Sequence, residues 1–183
     1  MGVSSVSVKA VFLDRDGVIN RAVVRDNKPF PPDSLQQLEI LPDVPETLRL
    51  LKENGFLLIV VTNQPDVGRG TQKRETVEEM HSFLLKKLPL DDIYVCWHGQ
   101  DGECDCRKPL PGMLFHAAKK YGINLQQSYL VGDRWKDIDA GESAGCKTIF
   151  IDYHYDEPLH FQPNYKTNSI KDTAKWVLQN QQH

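Results

Sequence analysis

A chain of 183 residues with 22 Lys plus Arg against 25 Asp plus Glu carries a formal charge of −3. It is long enough to bury a core and near the length at which one domain is the default, so residues 1–183 are read as a single domain. The slightly acidic balance excludes a basic footprint for nucleic acid or an anionic membrane, so an anionic ligand must be met by local positive charge.

The opening MGVSSVSVKAVFL has too short an apolar run for a secretory signal, and no later stretch approaches a membrane span, which implies a soluble, cytoplasmic protein. Residues 8–13 read as a buried strand. Residues 45–54 read as a helix with Asp43 as its N-cap and Gly55 ending it. Residues 56–61 form a second apolar strand. In 74–88, Val77, Met80, His81, Leu84, Leu85 and Leu88 recur at helical spacing, and 93–97 is a third short strand. A helix over 111–121 ends at Gly122, a strand spans 128–131, a helix over 135–144 ends at Gly145, a fifth strand spans 148–151, and 169–179 is a final helix.

Strand–helix alternation of this kind calls for a parallel sheet covered on both faces, a doubly wound α/β domain. Segments 21–41 and 152–168, rich in proline, polar and aromatic residues without a clear period, are expected to be ordered loops too small for a cap domain.

In parallel α/β sheets, ligands bind beyond the carboxyl ends of the strands. Asp14-Arg15-Asp16-Gly17 follows the first strand, Thr62-Asn63-Gln64 the second, Cys96-Trp97-His98 lies at the end of the third, and Gly132-Asp133 follows the fourth. An Asp after a strand is by itself more often a turn former. Four strands delivering polar groups to one edge reduce that reading. Asp14, Asp16, Asp133 and Asp137 are hard oxygen donors of the kind Mg²⁺ prefers.

A second metal is indicated by Cys96-x-His98-x5-Cys104-x-Cys106, three thiolates and an imidazole spaced for one tetrahedral Zn²⁺. The alternative is a redox-active or simply buried cysteine cluster. Four protein ligands leave no open position, so this zinc is expected to be structural. Cys106 is followed directly by Arg107 and Lys108, which such a loop would hold in place. Cys146 reads as core packing.

Taken in order, Asp14-Arg15-Asp16-Gly17-Val18, Thr62-Asn63-Gln64, Lys108 and Gly132-Asp133-x-x-x-Asp137 resemble the four motifs of the haloacid dehalogenase phosphatases. Within them, the Cys/His segment running into Arg-Lys-Pro and the Arg69-Gly70 pair look most like the zinc-containing heptose bisphosphate phosphatases. Histidinol-phosphate phosphatases, which share that segment, are the nearest alternative.

The resemblance implies Asp14 as nucleophile, Asp16 as acid/base, and Thr62 and Lys108 on the transferred phosphoryl group. It also implies Asn63, Gln64, Arg69 and Arg107 on the substrate. Mg²⁺ would be held by Asp14, the Asp16 main-chain carbonyl and Asp133, with Asp137 ordering the site. The implied ligand is a small phosphorylated sugar and the expected state a monomer. Pro65-Asp66 stands where that family commonly has Ser-Gly, and Arg134 where it often has Lys. An inactive zinc-stabilised module and a nucleic-acid end phosphatase are further alternatives; the intact aspartates oppose the first, the acidic composition the second.

Overall fold

The computed structural model describes residues 7–99 and 102–181. Its organising element is a six-stranded, all-parallel sheet built from β1 (Lys9–Leu13), β4 (Phe56–Asn63), β5 (Asp92–Cys96), β6 (Tyr129–Gly132), β7 (Lys147–Ile151) and β8 (Tyr165–Thr167), in the order β5-β4-β1-β6-β7-β8. Strands buried on both faces need apolar side chains at successive positions, and β1 supplies them. Val11 and Leu13 join one core with Val44, Leu48 and Leu51 of α1 (Val44–Glu53) and Ile170, Ala174 and Val177 of α6 (Ile170–Gln179). Ala10 and Phe12 face the other way, onto Met113, Leu114 and Ala117 of α4 (Gly112–Tyr121) and Ala140 and Ala144 of α5 (Trp135–Ala144). This is the doubly wound arrangement expected, with α3 (Arg74–Lys87) adding Leu84 to the first core.

The chain leaves β1 toward β4 on one side and β6 toward β7 on the other, so their connections diverge. The crevice between the carboxyl ends of β1 and β6 is therefore the topological switch point where such sheets bind ligands.

Four expectations are corrected. Segment 21–41 contains an antiparallel hairpin, β2 (Val23–Arg25) and β3 (Lys28–Phe30), in which Val23 opposes Phe30 and Arg25 opposes Lys28. Its two turn residues, Asp26 and Asn27, have φ of 48° and 56°, the left-handed pair that a tight hairpin requires. Segment 152–168 ends in β8, a sixth strand whose polar residues pair along the outer edge of β7.

The second strand runs two residues further than its apolar run, to Asn63, and is followed by a four-residue helix, α2 (Pro65–Gly68). Asp43 makes no side-chain cap bond: its φ of −81° and ψ of −7° are already helical, and the carboxylate does not meet the free N–H groups. Among the described residues no helix is long and apolar enough to cross a membrane.

Candidate active site and metal centres

Asp14 leaves β1 with its N–H bonded to the Val131 carbonyl at 2.9 Å, which sets it beside the end of β6. The chain then turns tightly around the Arg15 carbonyl, which accepts the N–H groups of Val18, Ile19 and Asn20. Gly17 sits in this turn at φ +91°, and a Cβ there would lie 2.1 Å from Asp133 Oδ2. Only glycine permits the turn to close against the Asp133 carboxylate.

Lys108 occupies the centre of the site. Its side chain is 3% exposed, and its Nζ donates to Asp14 Oδ1 at 2.8 Å, Asp137 Oδ1 at 2.6 Å and the Val61 carbonyl at 2.7 Å. Burial works against the charged ammonium, but Asp137 and Asp14 outweigh it and hold its pKa above the usual lysine value. Burial likewise pushes the Asp14 carboxyl up to about 6, with Asp137 and Asp16 adding to the rise and Lys108 opposing it.

Asp133 is raised well above the ordinary carboxylate range, by burial first and then by Asp14 and Asp137. Neither of its carboxylate oxygens has a hydrogen-bond partner among the described residues. Tyr155 is near enough for burial and then the Asp133 charge to raise its own pKa, without its hydroxyl reaching bonding geometry.

An unpartnered buried carboxylate is costly, and a divalent cation is what relieves it. Ligand atoms of Asp14, Asp133 and Asp137 all lie within 4.8 Å of one another, a hard-oxygen cluster that fits Mg²⁺. Asp137 is already committed on both oxygens, to Lys108 and to the Arg134 N–H at 3.1 Å, so it orients the others more than it offers a free ligand.

Asp16 lies in a different setting. Arg15 forks onto it through Nε at 3.1 Å and Nη2 at 3.0 Å, while Asn20 Nδ2 and Gln64 Nε2 donate at 3.0 and 3.1 Å. Gln64 also donates to Thr62 Oγ1 at 2.9 Å.

Asp14, Asp16, Thr62, Asn63, Arg69, Arg107 and Lys108 converge on one cleft of about 330 Å³. Two of the expected substrate contacts have other work. The Asn63 amide clasps the Lys108 backbone at both ends, donating to its carbonyl at 3.0 Å and accepting its N–H at 3.1 Å. Gln64 is buried and holds Asp16 and Thr62.

Lys28, on the hairpin, and Lys136, in the first turn of α5, also line this cleft, and neither belongs to a motif visible in the sequence. The Val-Val-Arg-Asp-Asn-Lys-Pro-Phe run, two short strands around an Asp-Asn turn, was the available signal for the hairpin. Lys136 has its pKa lowered, by burial first and then by the positive charges of Arg107 and Arg134, which marks a crowd of cations facing the same space. Arg134 is held by Glu157, and Arg69 by Asp66 at 2.6 Å.

The Cys/His cluster lies against the end of β5. Cys96 Sγ is 3.8 Å from Cys104 Sγ and 3.5 Å from His98 Nδ1, and Cys106 Sγ is 3.4 Å from the same nitrogen. A tetrahedral ion with bonds of about 2.3 Å to sulfur and about 2.05 Å to nitrogen separates two sulfurs by about 3.8 Å and sulfur from nitrogen by about 3.5 Å. The cage thus has the dimensions of a zinc site. Gly68 packs against this loop so closely that a Cβ would fall 2.3 Å from the Gly99 nitrogen. Arg107 Nη1 ties back to the His98 carbonyl at 2.9 Å. The loop therefore joins α2 and the cation pair at the cleft.

A family model for the haloacid dehalogenase-like hydrolases matches residues 23–145. The chain is 36% identical to a D-glycero-beta-D-manno-heptose-1,7-bisphosphate 7-phosphatase of Pasteurella multocida, covering 92% of this chain and 96% of that one. It is also 36% identical to the alpha-anomer enzyme of Photorhabdus laumondii, over 79% of this chain and 82% of that one. A solved D,D-heptose 1,7-bisphosphate phosphatase from B. bronchiseptica, complexed with magnesium and phosphate, superposes with a TM-score of 0.80 at 28% identity, covering 94% and 99% of the two chains. By its sheet, its aspartate-bearing strand ends and these relatives, the chain belongs to the haloacid dehalogenase-like hydrolases.

Proposed function

We propose that this chain is a Mg²⁺-dependent phosphatase that removes the 7-phosphate from D-glycero-D-manno-heptose 1,7-bisphosphate through an aspartyl-phosphate on Asp14. The observation that carries this reading is a single cleft in which the Asp14 carboxylate, held by Lys108, faces a wall of Lys28, Arg69, Arg107, Arg134 and Lys136. One phosphoryl group needs the nucleophile and Lys108; a second phosphate accounts for the remaining cations. Relatives named for this substrate across nearly the whole chain support the same reading.

In the first half-reaction one Asp14 oxygen attacks phosphorus in line, forming the acyl-phosphate bond as the bond to the sugar oxygen breaks. Asp16 acts as the general acid, giving a proton to the leaving sugar oxygen. In the second, water attacks the same phosphorus, Asp16 takes the proton, and the Asp14 carboxylate is released with inorganic phosphate. The Lys108 ammonium, with its three N–H groups given to Asp14, Asp137 and the Val61 carbonyl, sets a fixed positive charge beside the transferring group, and the Thr62 hydroxyl, which accepts from Gln64, keeps its own O–H for a phosphoryl oxygen. A preorganised donor of this kind is worth roughly 3 kcal/mol.

Asp14, Asp133 and the Asp16 main-chain carbonyl would hold Mg²⁺, which would neutralise charge on the carboxylates and the phosphoryl oxygens. Cys96, His98, Cys104 and Cys106 would hold Zn²⁺ with four protein ligands, which suits a structural role. Cysteines that form no disulfide suit a reducing compartment, and the same reading takes the enzyme as a cytoplasmic, monomeric single domain.

Histidinol phosphate is the second substrate to test, since its carrier is a cationic amine that a wall of cations repels. Phosphate release with Mg²⁺ is measured on both anomers of the heptose bisphosphate, a heptose monophosphate, histidinol phosphate and a 3′-phosphorylated oligonucleotide. The highest kcat/KM is expected on a heptose bisphosphate. A higher value on histidinol phosphate would replace the substrate, and no Mg²⁺-dependent release on any of them would remove the reaction.

A further inference from the structure

Among the described residues Arg15 is the largest side chain with no exposure, a cation enclosed next to the reacting carboxylates. Its Nε and Nη2 grip the two oxygens of Asp16. Its remaining terminal nitrogen, Nη1, meets His81 Nε2 at 3.0 Å. A guanidinium can only donate and stays protonated in proteins, so His81 Nε2 must be the acceptor, and the imidazole is neutral with its proton on Nδ1.

Burial, followed by the Arg15 charge, holds His81 at about 3, in keeping with that tautomer. His81 comes from the buried face of α3, beside Val77, Met80 and Leu84. Its ring leans on Trp97, the residue between two of the cysteine-loop ligands, at 6.2 Å between centroids.

A helix position that reads as core thus ends in a nitrogen bonded to the cation that holds Asp16. A bidentate fork has two ways to fail: rotation about the Arg15 stem, or withdrawal of Nη1 toward another acceptor. One acceptor placed on a packed helix closes both. Asn20 and Gln64 grip the same carboxylate, so loss of the Arg15 alignment would leave Asp16 present and misdirected.

We propose that His81 is a positioning residue for acid/base catalysis, acting through Arg15 to aim the Asp16 carboxyl at the leaving-group oxygen. The inference rests on the acid/base role given to Asp16 above. It has a signature that general loosening of the fold lacks. A sugar alkoxide leaves only with a proton, whereas a p-nitrophenolate leaves largely without one, so a misdirected Asp16 harms the first reaction more than the second.

The test uses the full chain with Mg²⁺, comparing heptose bisphosphate and p-nitrophenyl phosphate as substrates. His81→Leu keeps an apolar filler on α3 and removes the acceptor; His81→Gln restores an acceptor within reach of Arg15. The expected result is a fall of at least about tenfold in kcat on the sugar for His81→Leu, less than about threefold on p-nitrophenyl phosphate, and recovery of most of the sugar rate in His81→Gln.

Equal losses on the two substrates, or an unaltered sugar rate in His81→Leu, would overturn the inference while leaving the phosphatase reading intact. If His81→Leu does not fold, His81→Gln and His81→Asn decide alone. Asn is a residue too short to reach Arg15, and its failure to show the sugar-selective loss overturns the inference. A wild-type chain inactive on both substrates would instead sink the reading on which it rests.

Discussion

Removal of the Lys108 ammonium is the most demanding test of the site's electrostatics. In Lys108→Met the side-chain volume is kept, but Asp14 and Asp137 lose bonds of 2.8 and 2.6 Å and the Val61 carbonyl loses one of 2.7 Å. Breaking a buried pair by deleting one partner costs about 3–5 kcal/mol, because the other charge is stranded. Here three carboxylates within 4.8 Å of each other are stranded together, so the upper part of that range is expected in metal-free buffer at pH 7.

The loss should shrink on acidification, and the sign follows from Asp14. Its folded pKa, about 6 with Lys108 present, lies above its ordinary value of 3.8, so the folded state binds the proton more tightly. Stability associated with this group is highest below pH 4 and falls as pH rises through about 6. Without Lys108 the folded pKa rises further and the window moves up.

Urea unfolding of wild type and variant at pH 5 and pH 7.5, each with EDTA and with excess Mg²⁺, reads these terms separately. The variant's deficit should be largest at pH 7.5 with EDTA and smaller on either acidification or Mg²⁺ addition. A deficit under about 1 kcal/mol that is the same in all four conditions would refute the view of Lys108 as the counter-charge of this cluster.

Three further outcomes can be checked. Asp14→Asn should abolish turnover on every substrate while its thermal midpoint stays close to wild type or rises, since the amide keeps the shape without the buried charge; near-wild-type phosphate release would exclude Asp14 as nucleophile. Cys104→Ser should lower zinc content by elemental analysis, thermal midpoint and kcat together. Full zinc content and unaltered activity would separate the loop from the cleft. Arg107→Ala should raise KM for a bisphosphate about tenfold or more and far less for a monophosphate, with Lys108→Ala lowering kcat on both; equal KM effects for Arg107→Ala would remove its assignment to a second phosphate.

The strand–helix order, the aspartates after β1 and β6 and the cysteine–histidine spacing were legible in the chain itself, because each is a local pattern. An apolar run bounded by glycine makes a buried strand wherever it lies, and a parallel sheet puts its strand ends at one edge. The spacing of Cys96, His98, Cys104 and Cys106 limits them to a short loop that can close on one ion.

Lys108 could be named as a cation near the phosphate, but its three-way grip on Asp14, Asp137 and Val61 joins residues up to 94 positions apart. The same holds for Asn63, which lines the cleft and also clasps the Lys108 backbone, and for Arg15 and His81, 66 residues apart and bonded in the interior.

The hairpin at 23–30 was missed because its strands are three residues each, too short for periodicity to register, and with it went Lys28 on the cleft wall. β8 was missed because an edge strand need not be apolar. Composition and period are properties of neighbours along the chain and specify elements and their ends. Which donor meets which acceptor across the switch point depends on how the packed layers bring distant residues together, and only the tertiary structure decides that.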